Sequence, residues 1–277
     1  MILVTGATGT IGSKVVHALL ARGERVRAMT RNPAALDEHA VFGDFDKPET
    51  LQAAADGVDA VFLLSAPGPS LPAHDRAMLA AAQARGVGRV VKLSAIGTPD
   101  DGVPARAGAW HLPGEVAART GGLAWTILRP TTFASNSLSW APAIRSGAPV
   151  SNMFGAGAQG VVDPADVAAV AVAALTEDGH GGRTYTLTGP ELLSVPDQVA
   201  QLGEVLGRRI ATVDLGLEEA RGQLAGMGGD FIDTVLEGAA YVRAGHNAVV
   251  TDDVARVLNR PPRRFLDWAK EHREEFR

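Results

Sequence analysis

Thr5-Gly6-Ala7-Thr8-Gly9-Thr10-Ile11-Gly12 decides the fold, because it stands between the apolar run Ile2-Leu3-Val4 and an amphipathic stretch that begins at Ser13. A strand, then closely spaced glycines, then a helix is the context in which each glycine has a task. One allows a tight turn, another lets backbone approach a pyrophosphate, and Gly12 lets the helix pack closely on the strand. The helix N-terminus then turns free N–H groups and the positive end of its dipole toward the phosphates. Gly6, Thr8, Gly9, Thr10, Ile11 and Gly12 are therefore the expected cradle for a dinucleotide.

Outward from this turn, short apolar runs alternate with alanine-rich helical stretches. Residues 2–4, 25–29, 60–64, 90–93 and 124–128 read as strands. Helices are expected over 13–21, 48–55, 73–84 and 114–120. Strands that alternate with helices imply parallel pairing with helices on both faces, and the strands lack period-2 alternation, as doubly covered strands do. After Pro130 the rhythm breaks, and residues 132–160 are rich in Ser, Gly, Ala and Pro with no strong period. A helix over 167–175, started by Asp163-Pro164, and a strand over 184–187 follow. Further helices are expected over 197–206, 217–225, 231–242, 252–258 and 265–275. The expected architecture is α/β: a Rossmann-type doubly wound parallel sheet with a smaller, mostly helical C-terminal substrate lobe. Its boundaries are expected at 1–131 with 161–190 for the dinucleotide-binding domain, and 132–160 with 191–277 for the lobe.

Composition narrows the function. The chain has 277 residues, net charge −5 and no cysteine. That length buries about three quarters of the unfolded surface, enough to stabilise a core without staples. Disulfides, thiolate catalysis and cysteine-based zinc sites are excluded. The acidic balance lacks the basic footprint of a nucleic-acid binder, and the scattered histidines at 17, 39, 74, 180, 246 and 272 show no metal-ligand spacing. The longest apolar stretch, 167–175, falls far short of the roughly 20 residues needed to span a bilayer. The chain opens directly on a strand, with no charged, cleavable segment ahead of it. A cytoplasmic protein with a small-molecule partner is expected, bound to neither nucleic acid nor membrane; a homodimer is compatible with these features.

The residues after the second strand choose the nucleotide. An acid about 20 residues beyond the glycines would bind a ribose 2′-hydroxyl. The chain instead reads Met29-Thr30-Arg31-Asn32-Pro33, with no acid before Asp37. A guanidinium at Arg31 suits a 2′-phosphate through paired, charged hydrogen bonds, so NADP(H) is the expected cofactor.

The glycine spacing is Gly-x-x-Gly-x-x-Gly, one residue longer than the standard dehydrogenase fingerprint. With Gly43-Asp44-Phe45-Asp46, Thr126-Ile127-Leu128-Arg129-Pro130-Thr131-Thr132-Phe133, Asp163-Pro164-Ala165-Asp166-Val167 and Phe265-Leu266-Asp267-Trp268-Ala269 in the same order, the chain resembles an atypical short-chain dehydrogenase/reductase. The similarity is to the NmrA-like, quinone oxidoreductase-like type and covers most of the chain. The resemblance implies that Asp44 and Phe45 lie beside the adenine and that Ser65 and Ala66 back the nicotinamide ribose. Lys92 is then a ribose contact or a structural residue, and Phe133 a wall where the nicotinamide and substrate pockets meet.

The wider superfamily's Tyr-x-x-x-Lys pair is missing. Tyr185 and Tyr241 are the two tyrosines, and neither has lysine four residues on. In that slot stands His111-Leu112-Pro113-Gly114-Glu115, where His111 and Glu115 would share a helix face. A helix here starts near Leu112, because proline is tolerated only in a first turn. His111 is the expected proton donor, its charge sustained by Glu115. Ser94 resembles the superfamily's active-site serine and would hydrogen-bond a substrate carbonyl. Two functions fit: an NADPH-dependent oxidoreductase that passes hydride to a small carbonyl, quinone or enone, or an NADP(H)-binding redox sensor without turnover.

Overall fold

The computed structural model describes residues 1–35, 38–99, 108–226 and 228–277. Strands β1 (Ile2–Val4), β2 (Val26–Thr30), β3 (Ala40–Phe42), β4 (Ala60–Leu63), β5 (Arg89–Leu93) and β6 (Ala124–Pro130) pair in parallel in the order β3-β2-β1-β4-β5-β6. Helices α1 (Thr10–Ala21), α2 (Pro48–Ala55), α3 (Leu71–Ala84) and α4 (Leu112–Thr120) intervene. The chain then builds α5 (Ala141–Ser146), β7 (Val150–Asn152), β8 (Gln159–Gly160) and α6 (Pro164–Thr176). It returns as β9 (Arg183–Leu187) to the sheet edge beside β6. This is the doubly wound Rossmann-type sheet. Its strand order reverses at β1, so a crevice opens at the carboxyl ends of β1 and β4, the place where such sheets bind ligands.

Two compact units divide the chain. The first holds the described residues of Met1–Val103 with Gly108–Arg129 and Val167–Thr186; the second holds Pro130–Asp166 and Leu187–Arg277. In the first, every residue of β1 and β4 is buried, and Leu3, Leu51, Val61, Leu63, Met78 and Val90 form the core. Burial of each such side chain stabilises the fold by about 1.5–3 kcal/mol.

The second unit continues through β10 (Leu192–Leu193), α7 (Val195–Leu206), β11 (Thr212–Asp214), α8 (Leu217–Gln223), α9 (Gly229–Arg243), α10 (Asp253–Leu258) and α11 (Phe265–Glu271). It is mostly helical. The capping box of α7 is reciprocal: Ser194 Oγ accepts the Asp197 N–H, and Asp197 accepts the Ser194 N–H. Ile144, Val150, Leu202, Phe265, Trp268 and Phe276 form its core.

The structure departs from expectation where local signals are weak. Helix α1 begins at Thr10 rather than 13, because Gly9 is extended (φ −86°, ψ 174°) and caps the helix from inside the glycine motif. The stretch 132–160, without period in sequence, contains a 3₁₀ segment over Ala134–Trp140 as well as α5, β7 and β8. Strands of two or three residues pair only with distant partners, β7 with β11 and β8 with β10. Among the described residues no helix is long and apolar enough to cross a membrane.

Candidate active site

The glycine turn follows β1 and fills the switch point. Gly6 adopts φ +60°, and a Cβ there would stand 2.9 Å from Leu64 Cγ. At Gly12 a Cβ would reach 2.1 Å from the Gly6 carbonyl oxygen. Packing alone fixes both glycines. Gly9 differs, since a Cβ there would meet only Gly6 O, at 3.3 Å. Thr8, Gly9 and Thr10 are exposed, whereas Ile11 and Gly12 are buried and can offer a ligand only backbone. Helix α1 has no side-chain cap and no acidic residue in its first turn. Its first N–H groups and positive dipole end are thus left for an anion.

On the β2 side, Arg31 is exposed one residue beyond the strand and has no ion-pair partner among the described residues. The Asn32 N–H donates to Thr30 Oγ1 at 3.2 Å, which folds residues 30–32 into a tight turn. Asp37 lies outside the described residues. Beyond β3, Asp44 accepts the Asp46 N–H at 3.1 Å. Phe45 stacks on His74 with centroids 5.2 Å apart and planes at 19°, so one face of its ring is already covered.

On the β4 and β5 side, polar side chains are tied to one another. Thr5 Oγ1 accepts the Leu64 N–H at 2.8 Å, joining β1 to the end of β4. Ser65 is buried and donates to Asp75 Oδ1 at 2.7 Å, while Ala66 is exposed. Lys92, 1% exposed, donates to Asp75 Oδ2 at 2.5 Å and to the Leu93 carbonyl at 3.2 Å. Gly114 closes over this pair: a Cβ there would lie 2.3 Å from Asp75 Oδ2 and 2.8 Å from Lys92 Cε. That contact explains why a helix starting Leu112-Pro113 carries glycine in its first turn. A second network lies beside it. Glu115, fully buried, accepts from Ser94 at 2.5 Å, from Arg129 Nε at 2.9 Å and Nη2 at 2.7 Å, and from Arg119 at 2.9 Å.

Two expectations need correction. Glu115 does not sustain charge on His111, because its oxygens are taken by two guanidiniums and Ser94. Burial, and then the Lys92 ammonium, lower the His111 pKa to about 3, so the imidazole is neutral near pH 7, and its buried Nδ1 has no hydrogen-bond partner among the described residues. Ser94 has one hydroxyl hydrogen, and it goes to Glu115, which leaves only lone pairs for a substrate. Lys92 is structural here, since its ammonium is enclosed by Asp75 and Leu93 rather than open to a ribose. Phe133, half-buried, belongs to the second unit, where it caps the 3₁₀ segment and bridges to Val162.

Two residues escaped the sequence reading although signals existed. Asp75, with Met78, Leu79 and Ala82, falls on the i, i+3, i+4, i+7 stripe that α3 buries, an unusual place for an acid. Arg129 is a charge placed directly after the apolar pair Ile127-Leu128 in a buried stretch of β6.

Comparison with known proteins fits this geometry. Residues 6–178 match the family described as NAD(P)H-binding, and the chain belongs to that family. It is 43% identical to the (4-alkanoyl-5-oxo-2,5-dihydrofuran-3-yl)methyl phosphate reductase of Streptomyces griseus over 100% of this chain and 99% of the relative. It is 36% identical to the NAD(P)H azoreductase of Xenophilus azovorans, with the same coverage. The crystal structure of an NADPH-dependent quinone oxidoreductase from Escherichia coli, complexed with NADPH, shares the fold with a TM-score of 0.87 at 23% identity, over 98% of this chain and 99% of that one. The chain is an NAD(P)H-dependent oxidoreductase, and the reading as a sensor without turnover gives way to it.

Proposed function

We propose that this chain uses NADPH to reduce a small, conjugated, electron-poor acceptor such as an enone or a quinone. The observation that carries this reading is the protonation of the site. Imidazole at His111 is neutral near pH 7, the Ser94 hydrogen is committed to Glu115, and the Lys92 ammonium is enclosed by Asp75. No strong acid among these side chains stands ready to protonate a developing alkoxide. NADPH supplies the hydride when bound. An acceptor that spreads the incoming charge over a π system and takes its proton from water suits such a site; an isolated carbonyl, which concentrates charge on one oxygen, does not.

The relatives agree in kind. Their names describe an acyl-substituted unsaturated lactone, an azo compound and a quinone, all conjugated acceptors. In this reading the Gly6–Gly12 turn, with Thr8, Thr10 and the backbone of Ile11, holds the pyrophosphate. Arg31 binds the 2′-phosphate, Asp44 and Phe45 flank the adenine, and the Ser65-Ala66 backbone meets the nicotinamide half. NADPH oxidation measured against enones, quinones and unconjugated aldehydes tests it. The aldehydes should react at least about a hundredfold more slowly, the usual contribution of a general acid. Comparable kcat/KM values for aldehydes would refute the proposal.

A further inference from the structure

A continuous chain of contacts runs from the glycine turn across three strand ends. Gly6 packs against Leu64, Thr5 holds the Leu64 N–H, Ser65 donates to Asp75 at 2.7 Å, and Asp75 receives Lys92 from β5 at 2.5 Å. Asp75 is the junction, a carboxylate with no exposed surface whose two oxygens serve two different strands. Buried ion pairs of this kind are poor sources of stability, because desolvation offsets the attraction. Their usual value is geometric.

The position gives that geometry a use. In a doubly wound sheet a dinucleotide straddles the switch point. With the pyrophosphate at α1 and the adenosine half toward β2, the nicotinamide half must cross toward the ends of β4 and β5. Those are the two ends that Asp75 ties together, and Gly114 of α4 closes over the tie with no room for a side chain.

We propose that Asp75 is a positioning residue for the nicotinamide half of the cofactor: through Ser65 and Lys92 it holds the carboxyl ends of β4 and β5 in register with the phosphate turn. The inference rests on the dinucleotide reading of this site, and it concerns one half of the ligand. That asymmetry makes it testable. 2′,5′-ADP carries the adenosine half and the 2′-phosphate but no nicotinamide, so a positioning defect weakens NADPH and spares 2′,5′-ADP.

Two variants each cut one link. Ser65→Ala frees the end of β4 while the ion pair stays intact. Asp75→Asn/Lys92→Met frees β5 and leaves no unpaired charge in the core, a neutralisation that buried pairs commonly tolerate. Both variants are titrated with NADPH and 2′,5′-ADP by fluorescence, and turnover is measured on a reactive quinone. The double variant should bind NADPH about tenfold more weakly, with a similar fall in kcat, and Ser65→Ala about threefold, each on the scale of one net hydrogen bond. Affinity for 2′,5′-ADP should stay within about twofold, and Ser65→Thr should restore the wild-type NADPH affinity. Equal losses for both ligands, or no loss for either, would overturn the proposal. Should the double variant fail to fold, Ser65→Ala decides alone. Wild-type protein that bound NADPH no more tightly than 2′,5′-ADP would refute the underlying placement of the nicotinamide half.

Discussion

Ser65 and Ser94 occupy corresponding places just beyond the neighbouring strands β4 and β5, and each gives its hydroxyl hydrogen to a fully buried carboxylate from the helix that follows. Asp75 of α3 then meets one ammonium, from Lys92. Glu115 of α4 meets two guanidiniums, one of which grips it with both Nε and Nη2. The difference separates two jobs. A planar fork held on both oxygens locks its partner, and Arg119 and Arg129 tie Glu115 to its own helix and to β6. The Asp75 site joins strand ends through single contacts. It lies against Gly114, and the Lys92 ammonium bears on His111. Residue 111 therefore stands outside the network of residue 115, one turn away.

The largest effect should come from breaking the Glu115 network. Glu115→Gln takes the full counter-charge from buried Arg129 and half-buried Arg119, and breaking a buried pair typically costs about 3–5 kcal/mol. Urea denaturation should report that loss, while the ratio of NADPH to 2′,5′-ADP affinities in the folded fraction stays at the wild-type value. A changed ratio would mean that the two networks are not separate.

Arg31→Ala sharpens the contrast from outside both networks. Loss of a charged hydrogen bond worth roughly 1.5–3 kcal/mol should weaken NADPH and 2′,5′-ADP alike by about one to two orders of magnitude. NADH binding and the urea midpoint should hold steady. A parallel loss of NADH affinity would remove Arg31 from the 2′-phosphate.

The smallest effect concerns acid stability. The His111 pKa is about 3 in the folded protein against 6.5 when unperturbed. Between those values the unfolded chain binds a proton that the folded one refuses, so this group's contribution is complete above pH 6.5 and declines as pH falls toward 3. His111→Asn should therefore lose less stability than wild type between pH 8 and pH 5, as read from paired urea midpoints. Quinone turnover should show no His111 titration between pH 6 and 8. Identical pH slopes for variant and wild type would place the imidazole in water.

Much of this was legible in the sequence, for physical reasons that can be named. The glycine turn carries its meaning locally, since a strand, a positive-φ residue and a close helix contact all lie between residues 2 and 12. The parallel pairing and the helices on both faces of the sheet followed from the alternation of strands and helices. The pairing of His111 with Glu115 misled because helical spacing gives proximity along one helix but not the competition of Arg129, 14 residues away across the sheet. Asp75 was hidden for a similar reason: its partners are 10 and 17 residues distant on two strands. The short strands β7, β8, β10 and β11 are set by their partners rather than by any run of apolar residues.

Three glycines in one turn answer to different authorities. Residues 6 and 12 are held by contacts inside the protein, whereas residue 9, exposed and in ordinary extended geometry, meets only the Gly6 carbonyl oxygen, and on the proposed reading the pyrophosphate is what holds it. A descendant that abandoned the dinucleotide would be released at position 9 and nowhere else in the trio. The fold would keep its outer glycines as a fossil of the site, and the middle one would record whether the ligand is still in use.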